Sequence, residues 1–257
     1  MIDITTLSRI DLTEGAFAPG WKGELAHIGP ISTDSPLVDM LSGKTTCATV
    51  ALMAGVLLWG RHRIKNFTET DFCCELAEAA FAWHHSWRYV NMTAAPFHSP
   101  PKEPHEKSAL FTLDNFLRKT LMDKDKWNSF YQPVMPLYHM CNVVNFILPK
   151  SSRPSFETWL SEMCRRLDSI APVPDLDVPN IRDFESKDAY RAYCAPRRGL
   201  PLPPVVLDLD TDLSGVDLQA EADKFLQSLD HKKNRFLLSP DKLLEQGFDG
   251  LPYGRPT

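Results

Sequence analysis

The stretch Cys47-Ala48-Thr49-Val50-Ala51-Leu52-Met53-Ala54-Gly55-Val56-Leu57-Leu58-Trp59 is the longest apolar run in the chain. It covers thirteen positions, with only Thr49 and Gly55 breaking its apolar character. A membrane-spanning helix needs about 20 apolar residues, so this run is too short to cross a bilayer. It has no polar side, and a helix that is apolar all round belongs inside a protein. The reading is a helix over residues 44–62, buried on all sides and ending near Gly60-Arg61.

Amphipathic stripes lie downstream. Thr68 reads as an N-cap, with Glu69 and Asp71 in the first turn. Phe72, Leu76, Ala79, Ala80, Trp83 and Trp87 then recur at helical spacing along one face. Prolines at 96, 100, 101 and 104 predict an exposed loop over residues 94–106. Leu113, Phe116, Leu117 and Leu121 mark the next helix, and Val134, Leu137, Tyr138, Cys141, Val144 and Leu148 another. The cleanest stripe is Phe156, Trp159, Leu160, Met163, Cys164 and Leu167.

The texture is different on both sides of this block. Glycines and prolines make residues 1–35 irregular, and Ser35-Pro36 suits a helix start. Residues 172–179 read as a proline-spaced linker, and Val205-Val206-Leu207 as the best strand candidate, though a short one. Residues 217–229 return to helix. Near the end, Ser239 caps a helix, Pro240 occupies its first position and Gly247 stops it. The expected fold is mainly α: one domain over residues 1–257, built as a helical bundle or irregular helical array. Residues 36–170 form its core, and the proline-rich, acidic residues 171–257 wrap it with short helices.

With 43% apolar residues the chain can bury a sizeable core. A formal charge of −5 argues against a nucleic-acid binder, and the basic clusters Arg61-His62-Arg63 and Lys232-Lys233 are short. The opening Met1-Ile2-Asp3-Ile4 has no basic segment leading into an apolar one, so no export is expected and the location is cytoplasmic. The six cysteines, at 47, 73, 74, 141, 164 and 194, then read as reduced core thiols, and none has C-x-x-C spacing.

Motifs that would carry chemistry fail on inspection. Gly43-Lys44-Thr45 lacks the earlier glycine of a phosphate loop, because Val38 stands there. His105-Glu106 lacks the second histidine of a zinc-protease helix, because Ala109 occupies its place. Asp208-x-Asp210-x-Asp212 opens like a calcium loop, but Leu213 and Gln219 replace its glycine and its bidentate glutamate. His84 and His85 are adjacent and cannot share a helix face as metal ligands do. No metal, cofactor or catalytic residue is expected. The alternative is a helical enzyme with an unfamiliar site assembled from His84, His62, His139 and Cys141.

Charge is the feature left over. Residues 208–230 hold seven acids against the single base Lys224, a local charge of −6. Asp208, Asp210, Asp212, Asp217, Glu221 and Asp223 form the candidate partner-binding set, with Tyr193 or Trp127 as candidate aromatic anchors. An acidic face of this kind steers and selects a basic partner.

Four stretches carry a family resemblance: Leu57-Leu58-Trp59-Gly60-Arg61, residues 76–90 (LAEAAFAWHHSWRYV), Arg198-Gly199-Leu200-Pro201-Leu202-Pro203, and residues 234–254 (NRFLLSPDKLLEQGFDGLPYG). They resemble bacterial immunity proteins of polymorphic toxin systems, of the immunity 49 type. The resemblance implies a helical, cytosolic protein encoded beside a toxin, which it binds and blocks. The implied partner is the cognate toxin domain, with a basic surface, and the implied mechanism is occlusion of its active site. Neither nucleic acid nor membrane is an implied partner.

Overall fold

The computed structural model describes residues 2, 4–12, 15–17, 21, 35–94, 96, 101, 105–123 and 132–254. The described chain is mainly helical, and no strand is present among the described residues. The opening helices are α1 (Thr5–Ser8), α2 (Pro36–Leu41), α3 (Thr46–Ile64), α4 (Asp71–His85) and α5 (His105–Met122). They are followed by α6 (Val134–Ile147), α7 (Arg153–Ile170), α8 (Lys187–Arg198), α9 (Leu218–Ser228) and α10 (Pro240–Glu245). No helix among the described residues is long and apolar enough to cross a membrane.

Helix α3 is the axis of the molecule. Thr45 caps it by accepting from the Ala48 amide at 3.2 Å. Every residue from Thr46 to Gly60 is then buried, as an apolar run without a polar face requires. Helices α4, α5, α6, α7 and α8 all pack on it. Two glycines let them come close. A Cβ on Gly55 would lie 2.7 Å from the Trp159 ring of α7, and one on Gly60 would collide with Leu113 of α5.

Two buried cations organise the ends of this axis. Arg63 donates to the carbonyls of Ile147, Leu12 and Ala16, at 3.1, 2.7 and 2.9 Å. Its guanidinium also lies over the rings of Phe17 and Phe67. One planar fork thus holds the N-terminal segment against the core. At the other end the ammonium of Lys44 donates to the Met40 carbonyl and pairs with Asp168 at 2.8 Å. The Gly43-Lys44-Thr45 sequence therefore serves as a structural tie between α2, α3 and α7.

Several local expectations change. The cap of α4 is at Thr70, which makes no side-chain cap bond, and Thr68 lies outside the helix. The α4 stripe stops at His85, and Trp87 sits in a 3₁₀ turn, Trp87–Tyr89. The expected loop over residues 94–106 ends sooner, because α5 begins at His105; residues 95, 97–100 and 102–104 of it lie outside the described set. The strand expected at Val205-Val206-Leu207 is a 3₁₀ turn, Pro204–Leu207. Pro203 and Pro204 remove two ladder donors, and the local bonds Val206 N–H to Pro203 C=O and Asp208 N–H to Val205 C=O close the turn instead. The one β-bridge among the described residues pairs Val90 with Leu237.

Several joints tie the C-terminal third of the chain to the helical core. Leu202 donates its amide to Nδ1 of His84 at 3.4 Å. Gly199, with φ of +80°, passes so close to Thr45 that a Cβ would lie 2.7 Å away. Asn234 donates to the Glu75 carbonyl and the Glu78 carboxylate, and Arg235 forks onto Glu75 at 2.9 Å. Ser239 caps α10 at the Lys242 amide, and Gly247, with φ of +72°, follows it, as the sequence leads one to expect.

Candidate partner-binding surface

The acidic segment divides into a turn and a helix. Arg166 of α7 reaches under the turn and donates to the carbonyls of Val206, Asp208, Leu209 and Thr211, at 3.4, 2.6, 3.1 and 2.8 Å. The turn is thereby fixed from below by charge-assisted bonds. Above it, the Asp208 carboxylate accepts from the Asp210 amide and the Thr211 hydroxyl. Asp212 accepts from the amide and hydroxyl of Ser214 at 2.9 and 2.7 Å. Those bonds, the backbone one first, hold the Asp212 carboxyl below the usual carboxylate range. Asp210 is exposed and pairs with Arg9 at 3.0 Å.

In the helical half, Asp217 is the N-cap of α9 and accepts from the Ala220 amide at 3.0 Å. Glu221 pairs with Lys224 within the helix. Asp223 faces α4, where it approaches His85 at 3.6 Å and accepts from Gln219. Ala222 and Leu226 are buried beneath them. Asp210, Asp212, Asp217 and Asp223 are exposed, while Asp208 and Glu221 are half-buried. Most of these carboxylates thus have a structural bond as well as an outward charge, which the sequence does not reveal. A cleft of about 600 Å³ separates the turn from α7, lined by Glu162, Arg165, Arg166, Ser169, Asp212 and Ser214 among others. It mixes both signs of charge.

The two aromatic anchors fare differently. Tyr193 is half-buried, donates its hydroxyl to the Asp177 carbonyl at 3.1 Å and packs on Phe184. Trp127 lies outside the described residues.

The residues considered for an enzyme site each have their own surroundings. His84 is fully buried against Phe81, and burial pushes it down to about 3. His62 lies at the exposed end of α3 within reach of the Lys65 ammonium. His139 stacks on Phe116, and burial lowers it. Cys141 is buried beside Cys164, and burial raises both thiols, Cys164 to about 11. Cys47 is pushed up to about 12 by the same cause. Buried thiols raised this far stay protonated and are poor nucleophiles. All six cysteines are free and buried. Among the described residues no group of three or more His, Cys, Asp or Glu side chains is arranged to hold a metal ion.

Sequence reasoning missed a second surface feature. Thr45, residues 170–174 leaving α7, Pro196 and residues 199–202 at the end of α8, and Leu218 and Gln219 of α9 enclose a mainly apolar groove of about 410 Å³. Comparison with protein-family models, with curated proteins and with solved structures finds no match to this chain.

Proposed function

We propose that this protein neutralises a cognate bacterial toxin in the cytoplasm by binding it and covering its active site, with no catalytic step of its own. The observation that supports the reading best is the Arg166-clamped acidic turn followed by the capped acidic helix. It is a negative surface whose backbone is fixed before any partner arrives. Pre-organisation of this kind lowers the entropy lost on association. An acidic face set opposite a basic cleft raises the on-rate and selects the partner. The resemblance to immunity proteins of the immunity 49 type points the same way and supplies the partner class.

The test is binding to the toxin domain encoded beside this protein, measured by surface plasmon resonance at two salt concentrations. The variant to compare is Asp210→Lys with Glu221→Lys, because neither side chain caps a turn or a helix. The expected result is a fall of about tenfold in association rate and a weaker salt dependence. Tight binding of the wild type with unchanged kinetics in the variant removes the acidic surface from the interface. No binding by the wild type ends the inhibitor reading.

A further inference from the structure

A smaller cavity, of about 360 Å³, opens between α2, α6 and α7. Most of its wall is apolar: Leu37 and Met40 come from α2, Phe156 and Leu160 from α7. The walls are set before any ligand arrives. Phe156 packs edge-on against Trp59 and stacks on Trp159 in the core. Lys44 ties the C-terminal end of α2 to α7 through the Met40 carbonyl and Asp168. The volume lies at the lower end of the range for small-molecule sites, about 300–1,000 Å³.

Two carboxamides of α6, Asn142 and Asn145, belong to the same lining. They stand three residues apart, so they are neighbours on one helix face. Asn142 spends an N–H on the Tyr138 carbonyl at 3.1 Å, and its Oδ1 accepts from no described residue. Asn145 makes no hydrogen bond with any described residue, and its Oδ1 is buried. Buried polar groups in folded proteins are nearly always bonded, so a carboxamide left unbonded on a cavity wall lacks a partner. The last torsion of asparagine is broad and roughly two-fold, so Asn145 can turn its N–H₂ toward the cavity. The pair then supplies one donor and one acceptor side by side. An amide group is the complement of that pattern, with a carbonyl to accept and an N–H to donate.

Charge narrows the choice. Glu157 is the one charged residue of the lining among the described residues, and it is exposed. An anion meets a carboxylate there and no base. A cation gains little from an exposed carboxylate and loses its hydration against the apolar wall.

We infer that this cavity binds a small uncharged amide. Its carbonyl accepts from the Asn145 N–H₂ and its N–H donates to Oδ1 of Asn142, while its aliphatic or aromatic body lies between α2 and α7. The carboxamides fix the orientation, and the apolar walls supply most of the affinity. The inference does not depend on a toxin partner, whose proposed surface is the acidic turn and α9.

The experiment is a ¹⁵N amide NMR titration of the full chain with benzamide, an uncharged aromatic amide. Three probes of nearly the same shape are the comparison. Benzoate is anionic, benzamidine is cationic, and acetophenone keeps the carbonyl but has no N–H to donate. The expected result is saturable shifts at the amides of Met40, Asn142, Asn145 and Leu160 with benzamide. Acetophenone should bind about fivefold more weakly, as the loss of one hydrogen bond implies, and the charged probes about tenfold more weakly. Asn142→Ala should erase the preference for benzamide over acetophenone. Asn145→Leu should weaken both of these probes about fivefold. Should Asn145→Leu fail to give a folded spectrum, Asn142→Ala decides alone. The proposal is overturned by shifts scattered over the surface or by no saturable binding. It is also overturned by a charged probe that binds as tightly as benzamide, or by an Asn142→Ala protein that keeps the wild-type preference.

Discussion

The Arg166 guanidinium donates to the Asp208 carbonyl at 2.6 Å, which places a half-buried cation directly beneath the most acidic turn of the chain. The same guanidinium serves the carbonyls of Val206, Leu209 and Thr211. Lysine cannot reproduce that fork, because its ammonium is a point charge on a flexible stem. Arg166→Ala is expected to cost about 2–3 kcal/mol, the range for removing charge-assisted bonds from half-buried acceptors. Arg166→Lys should recover less than half of that. Urea unfolding gives the cost, and hydrogen exchange of the amides of residues 208–216 shows where it falls. Protection that fades over the whole molecule equally would mean that the clamp is not local.

Gly55 and Trp159 set the distance between α3 and α7. Gly→Ala in a helix interior ordinarily stabilises by about 0.5–1 kcal/mol. Here the new Cβ would lie 2.7 Å from the fully buried indole ring. The ring is itself packed against Trp59 and Phe156, so it has little room to move. Gly55→Ala is therefore expected to destabilise by about 1–3 kcal/mol, the usual range for overpacking. A thermal melt decides it: a raised midpoint would show that Trp159 yields freely.

These two cases show what the sequence carries and what it hides. The run from Cys47 to Trp59 announces a buried helix because it has no polar side, and α3 is buried as expected. The stripe of Phe156, Trp159, Leu160, Met163 and Cys164 maps directly onto the buried face of α7. Period and composition say nothing about which carbonyls Arg166 serves, because those partners lie about 40 residues away. The Val205-Val206-Leu207 triplet looked extended by propensity, but the prolines before it closed a turn. Of the acidic set, charge was readable and its use was not. Asp208, Asp212 and Asp217 hold local backbone, and Asp210 pairs with Arg9 from the far end of the chain. The groove was invisible because three segments distant in sequence enclose it.

His84 makes the core sensitive to acid. Its Nδ1 accepts the Leu202 amide, so the proton of the neutral ring is on Nε2, which is buried without a hydrogen-bond partner. Burial pushes the group down to about 3, from an ordinary value of 6.5. The folded state then binds fewer protons than the unfolded state between those limits. Stability from this site is complete above about pH 6.5 and is lost as pH falls toward 3, by up to about 1.4 kcal/mol per unit. His84→Asn keeps an acceptor for Leu202 and does not titrate. The variant should lose less stability than the wild type between pH 6.5 and pH 4, read from urea midpoints at each pH. Parallel curves would assign the acid sensitivity elsewhere.

Asp114 works in the opposite direction. It is fully buried on α5, where Arg118 reaches it at 3.1 Å, while its Oδ1 has no hydrogen-bond partner. Burial raises the carboxyl to about 6, and Arg118 offsets only part of that. The folded state therefore holds the proton more tightly than the unfolded one between about pH 3.8 and pH 6. Stability from this group is present below that window and declines as pH rises through it, by roughly 2–3 kcal/mol in total. Asp114→Asn removes the titration and leaves Arg118 its bond to the Met92 carbonyl. The difference in unfolding free energy, variant minus wild type, is expected to grow in the variant's favour between pH 4 and pH 7. A difference that stays constant across that range would mean that Asp114 is ionised throughout it, with the Arg118 pair outweighing the burial.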